Sequence, residues 1–257
     1  MSTNSKNKSV LESDVKKPSH EHLKSKLYVV STPIGNSDDI TLRALKVLKE
    51  VDFVICEERK VGSRFLKSVG VSKPLELLNE HNEQEQTQKL LLRLYEESAA
   101  LISDAGTPLF ADPGNELVSQ CHQNNIQVVP VPGASSLLAA LAGSGIKLDK
   151  FLYYGFLPAN KDERINALRK LPREYDIIFL EAPYRLSQLL RDMSKNLGVN
   201  RQAIIAYKLT YPQEKFFWGT LKELSIMTDG LPKGEFVLIL KKIFLQRTGM
   251  NKKSKRR

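Results

Sequence analysis

The sequence predicts an α/β fold in two parts, a parallel, doubly wound N-terminal sheet followed by a smaller C-terminal α/β domain with a mixed sheet. Three observations carry this. Apolar runs of strand length alternate with amphipathic helical stretches from Leu27 to Val131. Several of these runs stop abruptly in loops of Gly, Pro and Ser, as strands of an open parallel sheet do beside a ligand crevice. Beyond Gly143-Ser144-Gly145, which reads as a joint, the runs Gln202 to Lys208 and Phe216 to Gly219 follow one another with little between them, as in an antiparallel pair.

The elements follow in order. Residues 1–25 carry few apolar side chains and are expected to form a disordered extension. The N-terminal α/β domain is assigned to 26–142. It opens with a strand at Leu27 to Val30 and a helix capped by Asp38 or Asp39, with Ile40, Leu42, Leu45, Val47 and Leu48 on its apolar face. A strand over Val51 to Cys56, a helix near Val61 to Val69 and a short strand near Leu75 to Leu78 come next. Glu83 to Glu97 reads as an amphipathic helix with Leu90, Leu91, Leu94 and Tyr95 facing inward. Strand Ala99 to Ser103, helix Asn115 to Gln123, strand Gln127 to Val131 and helix Leu137 to Ala142 complete this part.

The C-terminal mixed α/β domain is assigned to 143–245. It holds strands at Phe151 to Tyr154 and Ile177 to Leu180, helices at Lys161 to Lys170 and Tyr184 to Asn196, the antiparallel pair, a short helix from Leu221 and a last strand at Phe236 to Leu240. Residues 246–257 form a basic tail expected to be disordered.

Composition narrows the function classes. Hydrophobic content of 41% with 26% charged residues is that of a globular protein, and no apolar run has the length of a membrane span. Cys56 and Cys121 have no metal-type spacing and read as free thiols of a reducing compartment, hence a cytoplasmic protein with no membrane partner. The net charge of +10 points to an anionic partner, of which nucleic acid is the commonest.

The chemistry-bearing loops are Thr32-Pro33-Ile34-Gly35, Asp104-Ala105-Gly106-Thr107-Pro108, Pro132-Gly133-Ala134-Ser135 and Glu181-Ala182-Pro183. If the strand ends lie on one side, the four together line one crevice suited to a small polar cofactor held by backbone groups. No dinucleotide or phosphate-loop glycine motif and no nucleophile elbow is present. The histidines His20, His22, His81 and His122 lack zinc spacing, so no metal is expected. His81, in a polar loop, is either a ligand contact or a plain surface histidine.

These loops, in this order, resemble the tetrapyrrole-methylase superfamily of S-adenosylmethionine-dependent methyltransferases. The closer likeness is to its bacterial small-subunit rRNA (cytidine-2′-O-)-methyltransferase branch. The segments that carry it are LYVVSTPIGNSDDITLRALKVL from Leu27, HNE at His81, SDAGTPLFADPG from Ser103, PGASSLLAAL from Pro132, GFLP at Gly155, EAPYRL at Glu181 and KGEFVLI at Lys233. The resemblance implies a two-domain tetrapyrrole-methylase-like fold, usually a homodimer, with S-adenosylmethionine in the cleft. The substrate it implies is a cytidine of 16S ribosomal RNA, met as free rRNA or as the small ribosomal subunit.

By that analogy Asp104, Ala105, Gly106, Thr107 and Pro108, Gly133, Ala134 and Ser135, Glu181, Ala182 and Pro183, and Gly234, Phe236 and Val237 hold the cofactor. Pro33, Ile34, Gly35 and Asn36 lie toward the methyl acceptor, where His81 is a further candidate. A ribose hydroxyl is a weak nucleophile when neutral, so Glu57 or Glu58 is a candidate base, the alternative being a salt-bridged surface turn. Arg59, Lys60 and Arg64 are candidates for RNA phosphates. The chain departs from the family pattern at Glu57-Glu58-Arg59-Lys60, at Tyr184 and at Lys208-Leu209-Thr210-Tyr211, all on the expected substrate side. A tetrapyrrole methyltransferase of precorrin type and a non-catalytic RNA-binding relative are the alternatives.

Overall fold

The computed structural model describes residues 26–110, 112–147 and 149–243; the expected disordered segments 1–25 and 246–257 lie outside the described residues. The first sheet is built from β1 (Lys26–Val30), β2 (Phe53–Cys56), β3 (Leu75–Leu77), β4 (Ala99–Ile102) and β5 (Gln127–Val131), in the order β3-β2-β4-β1-β5. Every pairing in it is parallel. Side chains of successive strand residues point to opposite faces, and both faces here are apolar. Tyr28, Val30, Val54, Cys56, Ala100 and Ile102 face α1 (Leu42–Glu50) and α2 (Arg59–Ser68). Leu27, Phe53, Ile55, Ala99 and Leu101 face α3 (Glu83–Leu94) and α4 (Asn115–Gln123). The sheet is doubly wound for that reason.

The second sheet runs β6 (Phe151–Gly155), β7 (Asp176–Glu181), β10 (Phe236–Leu240), β8 (Gln202–Tyr207), β9 (Lys215–Thr220) across its width. Only β6 and β7 pair in parallel; β10 lies antiparallel to β7 and β8, and β8 to β9. One face packs on α6 (Lys161–Arg169), α7 (Leu186–Leu197) and α8 (Leu221–Met227). The other face, with Ile178, Ile204, Ala206, Val237 and Ile239, is covered by Leu137 and Ala140 of α5 (Ser136–Gly143) and by Ile34 from the loop after β1. The two sheets are thus joined by apolar packing rather than by a bare hinge. No described helix is long and apolar enough to cross a membrane.

Three local expectations are corrected. Neither Asp38 nor Asp39 caps the first helix: Ser37–Asp39 form a single 3-10 turn, and Thr41 Oγ1 accepts from Ala44 N instead. Ile40 is extended between turn and helix, so the cap moves past it. Leu42, at the first helical position, is 86% exposed, and the buried face is Ala44, Val47 and Leu48. Tyr95 lies beyond the end of α3 and is also exposed, its hydroxyl donating to Asn124 Oδ1 at 3.0 Å.

Candidate active site

In the first sheet, Val30 of β1 is level with Ile102 of β4 and Val131 of β5, so the loops after all three strands emerge side by side. They are stitched together. Thr32 N donates to Gly106 O at 2.9 Å and Gly106 N to Thr32 O at 3.1 Å. Thr107 Oγ1 donates to Ala134 O at 3.0 Å and lies 3.0 Å from Ser31 Oγ. Gly106 has φ +86°, a left-handed conformation that glycine adopts without strain, and its Cα faces Ile34 and the Ala134 carbonyl. Gly133 lies so close to Ser31 that a Cβ would come within 2.8 Å of the Ser31 Cβ. From the second sheet, the end of β7 and the start of β10 meet in the pairing Glu181 with Phe236.

Between the sheets lies a cleft of about 600 Å³ counted to its open mouth. Its floor brings together Ile34, Ala105, Ser136, Glu181, Phe236 and Val237. Leu180, Ala206, Leu209, Phe156, Tyr211 and Glu235 complete the lining. Glu181 is the buried carboxylate here, its side chain 1% exposed. Its Oε1 accepts from Ala182 N at 3.0 Å and pairs with Arg185 at 2.9 Å, while Oε2 has no protein partner. Burial pushes the Glu181 carboxyl upward, and the Ala182 N–H, Arg185 and Arg164 oppose the shift. Arg185 also donates to the carbonyls of Leu157 and Pro158, so it ties Glu181 to the loop that carries Phe156.

A second cavity opens on the other side of the first loop. Thr32, Pro33, Ile34, Gly35 and Ser37, Asp104 and Ala105, Tyr211, and Phe65, Ser68 and Val69 at the end of α2 line it. Arg59, Lys60, Arg64 and Lys67 are exposed on α2, and none of them forms an ion pair among the described residues. Beside the cavity the carboxylates crowd. Asp104 is raised by burial and by Glu58, against a hydrogen bond from the Glu58 backbone. Glu57 is raised by burial and then by Asp104, Asp112, Glu80 and Glu58. Asp112 is pushed up to about 6 by burial and by Asp104, against a backbone hydrogen bond at Leu109.

Asp112 therefore weakens the fold as pH rises. Its folded value lies above the ordinary 3.8, so the folded chain holds a proton that the unfolded chain has lost between those two values. Stability falls with pH across that window. Asp112→Asn is expected to raise stability at pH 8 by roughly 1–3 kcal/mol and to change it little at pH 3.5, as thermal melts at the two pH values would show.

Ala105, Glu181, Phe236 and Val237 line the inter-sheet cleft, Pro33, Gly35 and Asp104 the second cavity, and Ile34 both. Gly106, Thr107, Gly133, Ala134 and Ser135 form the stitched layer behind them, in which Ser135 caps α5 by accepting from Leu138 N. Pro108 is buried. Ala182 N holds Glu181, and Ala182 and Pro183 begin the turn into α7, where Arg185 N donates to Ala182 O. Gly234 packs against Lys208 and the Tyr207 ring. Asn36 N donates to Thr210 Oγ1.

Glu57 and Glu58 stand next to Asp104 but line neither cavity; Asp104 does. His81 is on an exposed turn, its backbone N–H donating to Asn79 Oδ1, and it lines neither cavity. Its neighbour Glu83 instead accepts from Gly114 N at 2.7 Å and fixes the second turn of the SDAGTPLFADPG segment. Phe156 and Arg185 were not named as site residues from the sequence, although Phe156 lines the cleft and Arg185 holds Glu181. Both lie in the GFLP and EAPYRL segments that carry the resemblance, and Leu209 and Tyr211 lie in the Lys208-Leu209-Thr210-Tyr211 run that departs from the family pattern.

Comparison with known proteins supports the two-sheet α/β fold. The sequence profile of the Tetrapyrrole (Corrin/Porphyrin) Methylases matches residues 26–225. The chain is 41% identical over 217 residues to the ribosomal RNA small subunit methyltransferase I of Synechocystis sp., covering 83% of this chain and 78% of that protein. It is 42% identical over 219 residues to the protein of that name from Haemophilus influenzae, covering 83% and 77%. Among solved structures, uroporphyrin-III C-methyltransferase from Thermus thermophilus, complexed with S-adenosylhomocysteine, superposes with a TM-score of 0.58 at 19% identity, covering 83% of this chain and 96% of that one.

Proposed function

The chain belongs to the tetrapyrrole (corrin/porphyrin) methylase family, and from that premise we propose that it is an S-adenosylmethionine-dependent methyltransferase that modifies the 2′-hydroxyl of a cytidine ribose in small-subunit ribosomal RNA. The observation that carries this reading is the pair of cavities that meet at Ile34, Ala105 and Tyr211. One is apolar with a single buried carboxylate; the other carries Asp104 and adjoins a basic helix. An RNA acceptor is favoured over a tetrapyrrole because relatives named for ribosomal RNA match at about 41% identity. The tetrapyrrole-methylating neighbours match at about 20% and speak for the fold alone.

The inter-sheet cleft fits the cofactor. Apolar walls at Phe156, Leu180, Ala206, Leu209 and Val237 suit an adenosine, and the unpartnered Glu181 Oε2 is a buried acceptor for one of the ligand's donor groups. Gly106 and Gly133 keep the neighbouring backbone free of side chains. When bound, S-adenosylmethionine supplies a methyl carbon on a sulfonium, whose C–S bond breaks with the electron pair left on sulfur as the new C–O bond forms.

The chain's own residues do the rest. Arg59, Lys60 and Arg64 hold phosphates of the RNA on the exposed face of α2. Pro33, Ile34 and Gly35 form the near wall for the acceptor ribose. Asp104 lines the acceptor cavity and takes the proton that leaves the 2′-hydroxyl oxygen. Burial and then the Glu58 carboxylate raise the Asp104 value and so make it a stronger base than an isolated aspartate. The protein works in the cytoplasm as a homodimer, on free rRNA or on the assembled small subunit.

Mapping of 2′-O-methylation in small-subunit rRNA from cells with and without the protein tests this reading. One cytidine is expected to lose its mark without the protein, and an unchanged methylation pattern refutes it.

A further inference from the structure

Tyr211 stands where the two cavities touch. Among the described residues, three line both: Ile34, Ala105 and Tyr211. These three side chains divide the two cavities. Ala105 offers only a methyl group, and Ile34 is fixed by packing against the core of the second sheet. Tyr211 supplies the one polar group and the largest side chain of the three. Its hydroxyl keeps its proton, since burial and the Glu235 carboxylate push its pKa upward, so it is a hydrogen-bond donor.

The ring is held in place from several sides. It lies flat enough on the first loop that a Cβ on Gly35 would come within 2.6 Å of Tyr211 Cδ2. The residue before it, Thr210, accepts from Asn36 N at 2.9 Å and donates its own N–H to Glu214 Oε2 at 2.6 Å. Lys208 and Thr210 have φ of +48° and +66°. A β-branched residue in the left-handed region is strained, and such strain persists only where the surroundings impose it. The strained turn aims Tyr211 at the aperture.

We propose that Tyr211 is the aperture residue of the methyl transfer: its ring walls the passage between the donor and acceptor cavities and orients the acceptor ribose toward the methyl group. This rests on the methyltransferase reading above, and it assigns to Tyr211 a role in alignment rather than in holding either ligand. A misplacement of about 1 Å at a reacting centre costs roughly 100-fold in rate.

The test uses the full chain as wild type, Tyr211→Phe and Tyr211→Ala. S-adenosylmethionine carrying a ¹³C methyl group is bound, and nuclear Overhauser contacts from that methyl to the Tyr211 ring are sought; calorimetry gives the cofactor affinity and single-turnover assays on small ribosomal subunits the transfer rate. The expected result is a methyl-to-ring contact in the wild type that persists in Tyr211→Phe and vanishes in Tyr211→Ala. Tyr211→Ala is expected to keep cofactor affinity within about 3-fold and to lose transfer by roughly 100-fold, while Tyr211→Phe, which keeps the ring and loses only the hydroxyl donor, is expected to lose no more than about 10-fold. A bound cofactor with no contact to the ring overturns the proposal, as does a Tyr211→Ala variant that transfers normally or whose affinity falls as far as its rate. A wild type that binds the cofactor yet methylates no subunit refutes the acceptor half of the functional reading, and the contact still decides Tyr211. A wild type that binds no cofactor overturns both.

Discussion

Gly106→Val is expected to abolish S-adenosylmethionine binding, with the dissociation constant rising at least about 100-fold, or about 2.7 kcal/mol. Two effects combine. At φ +86° a β-branched residue is strained, which costs roughly 1–3 kcal/mol and loosens the paired hydrogen bonds between Gly106 and Thr32. Its Cβ would also come within 3.0 Å of the Ile34 side chain, which lines both cavities and must then shift. Gly106→Ala carries the same Cβ without the branch and is expected to lose only about 10-fold. The proposed RNA contacts lie elsewhere, on α2, so affinity for small subunits should stay within about 3-fold in both variants. Calorimetry with the cofactor and filter binding with subunits separate the two, and thermal melts report any loss of fold. Normal cofactor binding by Gly106→Val would show that the cofactor lies elsewhere.

Asp104→Asn is expected to lower the single-turnover transfer rate by roughly 10²–10³-fold at neutral pH, the usual contribution of a positioned base. The pH profile is the sharper test. The carboxyl of Asp104 is raised by burial and by the charge of Glu58. A base acts in its ionised form, so the wild-type rate should rise tenfold per pH unit below the raised value and level off above it. Replacing Glu58 by Gln removes a neighbouring negative charge, lowers the Asp104 value and shifts the rising limb to lower pH. Asp104→Asn should abolish the limb. If Asp104→Asn keeps the limb and Glu57→Gln abolishes it, the proton goes to Glu57 instead.

Much of this fold was legible because its cues are local. The bounds of α4, β5 and β10 follow directly from apolar runs closed by polar, Gly or Pro residues. The misread ends are of another kind. Leu42 and Tyr95 carry apolar character but sit at helix termini, where they are 86% and 49% exposed. The cap at Thr41 rather than Asp38 or Asp39 depends on how Ser37–Asp39 turn back on Asn36, whose Oδ1 accepts from Asp38 N.

The sequence alone determined the alternation of strand and helix, the glycine and proline breaks at strand ends, and the chemistry those loops could host, because each of these depends on residues a few positions apart. Tertiary structure decided what those loops meet. The contact between Asn36 and Thr210 spans 174 residues, and no periodicity or spacing encodes it. The packing of α5 on the second sheet and the pairing of Glu181 with Phe236 are of the same kind. Burial of apolar faces, which is non-directional, brings the sheets together. The hydrogen bonds and close backbone approaches at Gly35, Gly106 and Gly133 then set the two cavities and place Tyr211, Asp104 and Glu181 around them.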